Sequence, residues 1–160
     1  MTDRVDFVQN RLVVIAPTDN PAHIERLDDL AEPGVQVVLA AEGVPVGDYA
    51  RQALYAAGIQ DAVLANVVSN EDDDASVVAK IVSGEADAAI VYVSDVTSAI
   101  APQVSAVPIS SAVNVIATYP IAVVGGTANP DVAQAFVDFV TGPSGQATLA
   151  RFGFLPPPTM

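Results

Sequence analysis

Cysteine is absent from the 160 residues, so disulfides and thiolate metal sites are excluded, and redox chemistry gives no clue to compartment. Tryptophan is absent too, and aromatic residues make up only 6%, so any core is built from Val, Ala, Ile and Leu. Basic residues are scarce: 6 against 19 acidic ones, a net charge of −13. That balance argues against nucleic acid, which needs a basic face, and against docking on anionic lipid. There is one histidine, His23, in a polar turn without a nearby nucleophile, so a Ser-His-Asp arrangement has nothing to build on. No Gly-rich phosphate fingerprint follows the first apolar run. No apolar run is long enough to span a bilayer, and the polar start MTDRVDFVQN has no signal-peptide pattern; for a chain acting outside the cytoplasm, the targeting segment is expected to have been removed.

What is present is an apolar fraction of 51% in a chain of one-domain length. Short β-branched runs alternate with helical patterns. Arg11 to Ala16 reads as a buried strand ended by Pro17, and Ile24 to Leu30 as a short helix stopped by Pro33 and Gly34. Val35 to Ala40 is a second strand, Leu64 to Val68 a third, and Ala88 to Val93 a fourth. The acidic turn Ser69 to Asp74 leads into a helix over Ala75 to Val82, and another short helix is expected over Val96 to Ala101. Val104 to Ile109 is a strand; Val115 to Val124 is a long apolar run whose Pro120 places it at an edge or a bend. Asn129 and Pro130 open a helix to about Thr141, Gly142 and Pro143 break it, and Ser144 starts a last helix before the Pro156 to Pro158 tail. Strand and helix in alternation predict an α/β fold with a parallel-rich sheet.

The stretch Val44 to Leu54, VPVGDYARQAL, is the most suggestive. Pro45 and Gly47 are expected to shape a turn that opens directly into a helix. The unpaired N–H groups and partial positive charge of a helix start suit an anion, and Gly47 would let a ligand approach them. Tyr92, at the end of the fourth strand, is placed where open α/β sheets hold ligands. The acidic run Glu71 to Asp74 is a poor cation loop: an EF-hand register from Asn70 puts Ala75 where Gly is required and Ile81 where the bidentate Glu belongs. No bare-cation site is expected.

Five blocks then line up in one order: NRLVVIAP (10–17), VPVGDYARQAL (44–54), NEDDDASVVAKIVSGEADAAIVYVSD (70–95), YPIAVV (119–124) and AFVDFVTGPSGQATLARFGF (135–154). In this order and content the chain resembles the molybdate-binding proteins, the substrate-binding components of molybdate ABC transporters, over about Phe7 to Leu155. The resemblance implies a periplasmic-binding-protein-like (type II) α/β lobe. It implies a stub and first crossing strand over 1–16, a complete second lobe over 17–113, and a return strand over 114–126. The helices of 127–160 would then belong to a first lobe most of which precedes this chain's start in the family. The implied ligand donors are the backbone N–H of Val46 (the VPxG position), the backbone N–H of Asp74, and the Tyr92 hydroxyl. Asp74 departs from the Val that the family carries there, and its carboxylate would repel a dianion if it faced one.

The ligand implied is a tetrahedral oxyanion, molybdate or tungstate, with no cofactor and no enzymatic activity. The partner implied is an ABC transporter permease, in a periplasmic or extracellular, membrane-associated setting. Because the family's missing segment carries two Ser-bearing loops, binding by this chain is expected to be weakened by about 3–6 kcal/mol or lost. The apolar positions of the terminal helices, left uncovered, are expected to favour a homodimer. The alternative is a flavodoxin-like sensor or interaction domain that no longer binds an oxyanion.

Overall fold

The computed structural model describes residues 4–158. The first three residues of the expected stub, and Thr159 and Met160 of the tail, lie outside the described residues. The described chain divides into two compact units, residues 12–115 and residues 4–11 with 116–158. Strand β1 (Val5–Pro17) belongs to both: residues 5–11 to one unit and 12–17 to the other.

The larger unit is a sheet in the order β3-β2-β4-β1-β5. Its strands β2 (Val37–Ala40), β3 (Val67–Glu71) and β4 (Ala88–Tyr92) are mutually parallel, whereas β1 runs antiparallel to β4 and to β5 (Val104–Pro108). The sheet is therefore mixed, and its parallel character is confined to three strands. β2 and β4 are buried along their whole length, as strands covered on both faces must be. Val37, Val38, Leu39, Ile90, Val14 and Ile15 form the centre of the core.

Helix α1 (Pro45–Ala56) packs on β2 and β4; α3 (Asp74–Val82) packs on β2, β3 and β4. The connections β2 to β3 and β3 to β4 run in opposite directions across the sheet. Right-handed crossovers then put α1 and α3 on opposite faces. Leu54 from one helix and Ile81 from the other are fully buried.

Several local expectations change. Residues Gln60–Ala65 form α2, so Leu64 is helical and β3 starts at Val67. β3 takes in Ser69, Asn70 and Glu71, which leaves only Asp72 and Asp73 as the turn before α3. The segment expected as a helix over Val96 to Ala101 is instead turns between two 3-10 helices, Val93–Asp95 and Ala101–Gln103. The expected helix over Ile24 to Leu30 is a 3-10 helix at Leu27–Ala31, preceded by a turn with Asn20 and His23 at positive φ. Pro45 and Gly47 lie inside α1, and the residue of the turn with positive φ is Gly43 (φ 87°).

In the smaller unit, residues 5–11 of β1 pair antiparallel with β6 (Ile116–Ile121). Pro120 sits opposite Asp6, beside a register shift, on a strand whose only ladder partner among the described residues is β1. That is a position where a missing N–H is tolerated. Gln9 exchanges two backbone hydrogen bonds with Leu155, 3.0 and 2.8 Å, and the Tyr119 ring meets Phe154 edge-on. Helices α4 (Pro130–Thr141) and α5 (Pro143–Arg151) follow, separated by Gly142. No helix among the described residues is long and apolar enough to cross a membrane.

Candidate functional site

Three parallel strands end on one edge of the larger unit, and each feeds a helical start at its carboxyl end: β2 into α1, β3 into α3, β4 into the 3-10 turn Val93–Asp95. This is the edge at which open α/β sheets bind ligands.

At the end of β2, the turn is closed by Asp48, whose Oδ1 accepts the Gly43 amide at 2.9 Å. Pro45 takes the first helical position, and the first bond of the helix is Asp48 N–H to Val44 O, 3.0 Å. Val44 offers no side-chain cap. The amides of Val46 and Gly47 therefore have no acceptor among the described residues. They form the unpaired, partly positive end of α1. The Val46 side chain itself is fully buried, so only its main chain is presented. Gly47 has another role from the one its sequence context suggested. A Cβ there would lie 2.4 Å from Ala40 O and 2.5 Å from Ala41 O, so glycine is required for α1 to seat on the end of β2 rather than to admit a ligand.

At the end of β3, α3 is capped from within. The Asp73 carboxylate accepts Ser76 N–H at 2.7 Å and is held below the usual range chiefly by that bond. Asp74 is the first residue of α3 and half-buried; burial, then the charge of Asp73, raises its pKa. Its side chain lines a cavity of about 570 Å³ together with Ala75, Val78, Ser94, Asp95 and Ile100.

At the end of β4, Tyr92 is 7% exposed, its ring edge-to-face with Tyr49 of α1 at 6.5 Å between centroids. Its N–H donates to Asp95 Oδ2 at 2.9 Å. Asp95 is pushed up to about 6, first by burial and then by the charge of Asp74, against the pull of that N–H. Contacts thus run from the first turn of α1 through Tyr49 to Tyr92, on to Asp95, and to Asp74. Val46, Asp74 and Tyr92 stand on the same strand-end edge, with the carboxylates of Asp74 and Asp95 on it as well.

Two residues of this edge escaped the sequence reading. Asp95 carries little signal beyond its place three residues after Tyr92, where a side chain can cap the chain. Arg51 carries a visible signal: with Gly47 and Leu54 it shares the i, i+4, i+7 stripe that α1 buries. Its side chain is 12% exposed.

Other candidates carry little. His23 is exposed in its turn. Glu71 lies in β3, where its Oε1 accepts the Ser69 hydroxyl and stands 4.0 Å from Lys80 Nζ. No group of three or more His, Asp or Glu side chains suited to a metal ion occurs among the described residues.

Comparison with known proteins gives the frame for this edge. A family model described as bacterial extracellular solute-binding protein matches residues 1–155. The molybdate-binding protein ModA of Mycobacterium tuberculosis H37Rv is 38% identical over 152 residues, covering 95% of this chain and 56% of that protein. ModA of Escherichia coli K12 is 33% identical, covering 94% of this chain and 60% of that protein. A solved structure assigned as the substrate-binding domain of a molybdenum ABC transporter of Clostridium difficile superposes with a TM-score of 0.80 at 29% identity, covering 96% of this chain and 66% of that one. The chain spans about 56–60% of the length of these curated relatives. The matching family is one of solute-binding proteins rather than enzymes. On the match of its family model across almost every residue, the chain belongs to the bacterial extracellular solute-binding proteins.

Proposed function

We propose that this chain binds a tetrahedral oxyanion of the molybdate and tungstate class as part of a solute-binding protein that serves an ABC transporter. The observation that carries the reading is the pair of unpartnered amides at Val46 and Gly47, on the same carboxyl edge of three parallel strands as Tyr92, whose ring meets Tyr49 of α1. Directional N–H and O–H donors hold a dianion without Lys or Arg contact, so the net charge of −13 is no obstacle. Surface charges beyond about 8–10 Å are screened. In this reading the donors are the Val46 and Asp74 amides and the Tyr92 hydroxyl, and residues 17–113 make up the lobe that carries them. The kinship with proteins named molybdate-binding supports the choice of anion. The transporter permease is the partner, in an extracellular or periplasmic setting at the membrane.

Charge-assisted bonds of about 1.5–3 kcal/mol each, less the cost of ordering a ligand, give these 160 residues a Kd of about 10⁻⁵–10⁻³ M for molybdate. Amide-resolved titration tests the reading: molybdate should move the Val46 and Gly47 signals.

One observation favours a second reading, an interaction or sensor domain that binds no oxyanion. Asp73 already fills the start of α3 with its own carboxylate, and Asp74 adds a second negative group. That reading gains if molybdate leaves the α1 amides unmoved.

A further inference from the structure

Arg51 is one of only six basic residues, and it is spent inside the molecule. Nη1 donates to Ala40 O at 2.8 Å and to Gly47 O at 2.9 Å; Nη2 donates to Asn70 Oδ1 at 2.8 Å. Nε is buried without a hydrogen bond, with Glu42 Oε1 3.8 Å away, beyond hydrogen-bond length. One planar group thus holds the last residue of β2, the first turn of α1 and the end of β3.

The placement of these acceptors matters. Ala40 and Gly47 bracket the turn that leads to the Val46 amide. Asn70 lies near the carboxyl end of β3, four residues before Asp74. Each acceptor within hydrogen-bond reach is a neutral oxygen, and the nearest carboxylate, on Glu42, is 85% exposed. The guanidinium charge is therefore held in place but not cancelled by a bonded carboxylate. A Lys at this position would be a point charge on a flexible stem, unable to reach three acceptors in fixed fork geometry.

We propose that Arg51 is a positioning residue for the oxyanion: its guanidinium ties the β2–α1 turn to the end of β3, which leads into α3, and so sets the spacing between the Val46 and Asp74 amides. The inference rests on the oxyanion reading above. It assigns Arg51 no contact with the ligand.

The test uses the full 160-residue chain, molybdate as the probe, and the variants Arg51→Lys and Asn70→Ala. Arg51→Lys should weaken molybdate binding at least about tenfold. Asn70 is exposed, so Asn70→Ala keeps the fold and only releases the β3 end of the tie. It should weaken binding about three- to fivefold, with a thermal midpoint within about 2 °C of wild type. It should also shift the Val46 and Gly47 amide signals in the ligand-free spectrum while leaving those of the β1 core in place. Wild-type affinity in Asn70→Ala with unmoved Val46 and Gly47 signals overturns the proposal, whether or not Arg51→Lys folds. A wild-type chain without any molybdate response overturns the oxyanion reading instead. The ligand-free Asn70→Ala spectrum then still decides whether Arg51 ties the β2–α1 turn to the end of β3.

Discussion

Gly47 changes both place and role between sequence and fold: expected in the turn, it lies inside α1. Its sequence setting, between Pro45 and a helical pattern, suggested an open approach for a ligand. In the fold its missing side chain makes room for the carbonyls of Ala40 and Ala41. Gly47→Ala forces α1 away from the end of β2 and should cost about 1–3 kcal/mol, as overpacking does. Urea unfolding measures it, and a loss below about 0.5 kcal/mol would contradict the close seating of α1. Arg51 is the complementary case. Its stripe with Gly47 and Leu54 is legible, but which acceptors it finds depends on β2 and β3 meeting beside α1, and no local pattern encodes that. Tyr92 is legible from its place at a strand end, whereas the donor roles of Val46 and Asp74 rest on the resemblance. Their clustering on one edge follows from the parallel order of three strands, and the inward turn of Asp74 toward Asp95 had no signal at all.

At the scale of elements, strands buried on both faces were readable and junctions were not. β4, AAIVY, is an unbroken apolar run with β-branched residues, and it forms where expected. The stretch from Gln60 to Glu71 mixes a short helix and a strand, because Ala62, Val63 and Leu64 suit either and only packing decides. The segment after β4 was expected to be helical and is turned instead, with Asp95 accepting the Tyr92 amide. That element carries a pH dependence of known sign. The Asp95 carboxyl titrates at about 6 in the folded chain, above its ordinary value of 3.8. The folded state therefore binds more protons between these two values. Asp95 thus adds stability as pH falls through 6, fully so below about 4. Asp74 on α3 faces it and shifts the same way, whereas Asp73 beside it is held low and titrates below this window. Asp95→Asn keeps an acceptor for Tyr92 and removes the titration. Between pH 7 and pH 4.5 the wild type should gain on the variant by on the order of 1 kcal/mol, after allowance for solvent screening. Urea midpoints across that range check it; parallel pH profiles would contradict it.

At the scale of the whole molecule, composition points to an aliphatic core and away from nucleic acid, and the alternation of strand and helix patterns points to an α/β fold. The family match over residues 1–155 places it among extracellular solute-binding proteins. The helical pattern of α4 is legible in the sequence, and so is its uncovered apolar face: Val137 is buried, while Val132, Phe136 and Phe139 are 71%, 61% and 58% exposed. An apolar face of this kind favours association. The 160-residue chain should self-associate reversibly at high concentration, and Phe136→Ser with Phe139→Ser should return it to a monomer in light scattering. A wild-type monomer at all concentrations would remove the homodimer from the account. The central claim, that the start of α1 is one wall of an oxyanion site, is tested most directly by following the backbone amides during a molybdate titration, with chloride as control. Saturable shifts are expected at Val46 and Gly47, and at Asp74 and Tyr92, with a single Kd of about 10⁻⁵–10⁻³ M. Signals at Val46 and Gly47 that stay fixed up to tens of millimolar molybdate would contradict that claim.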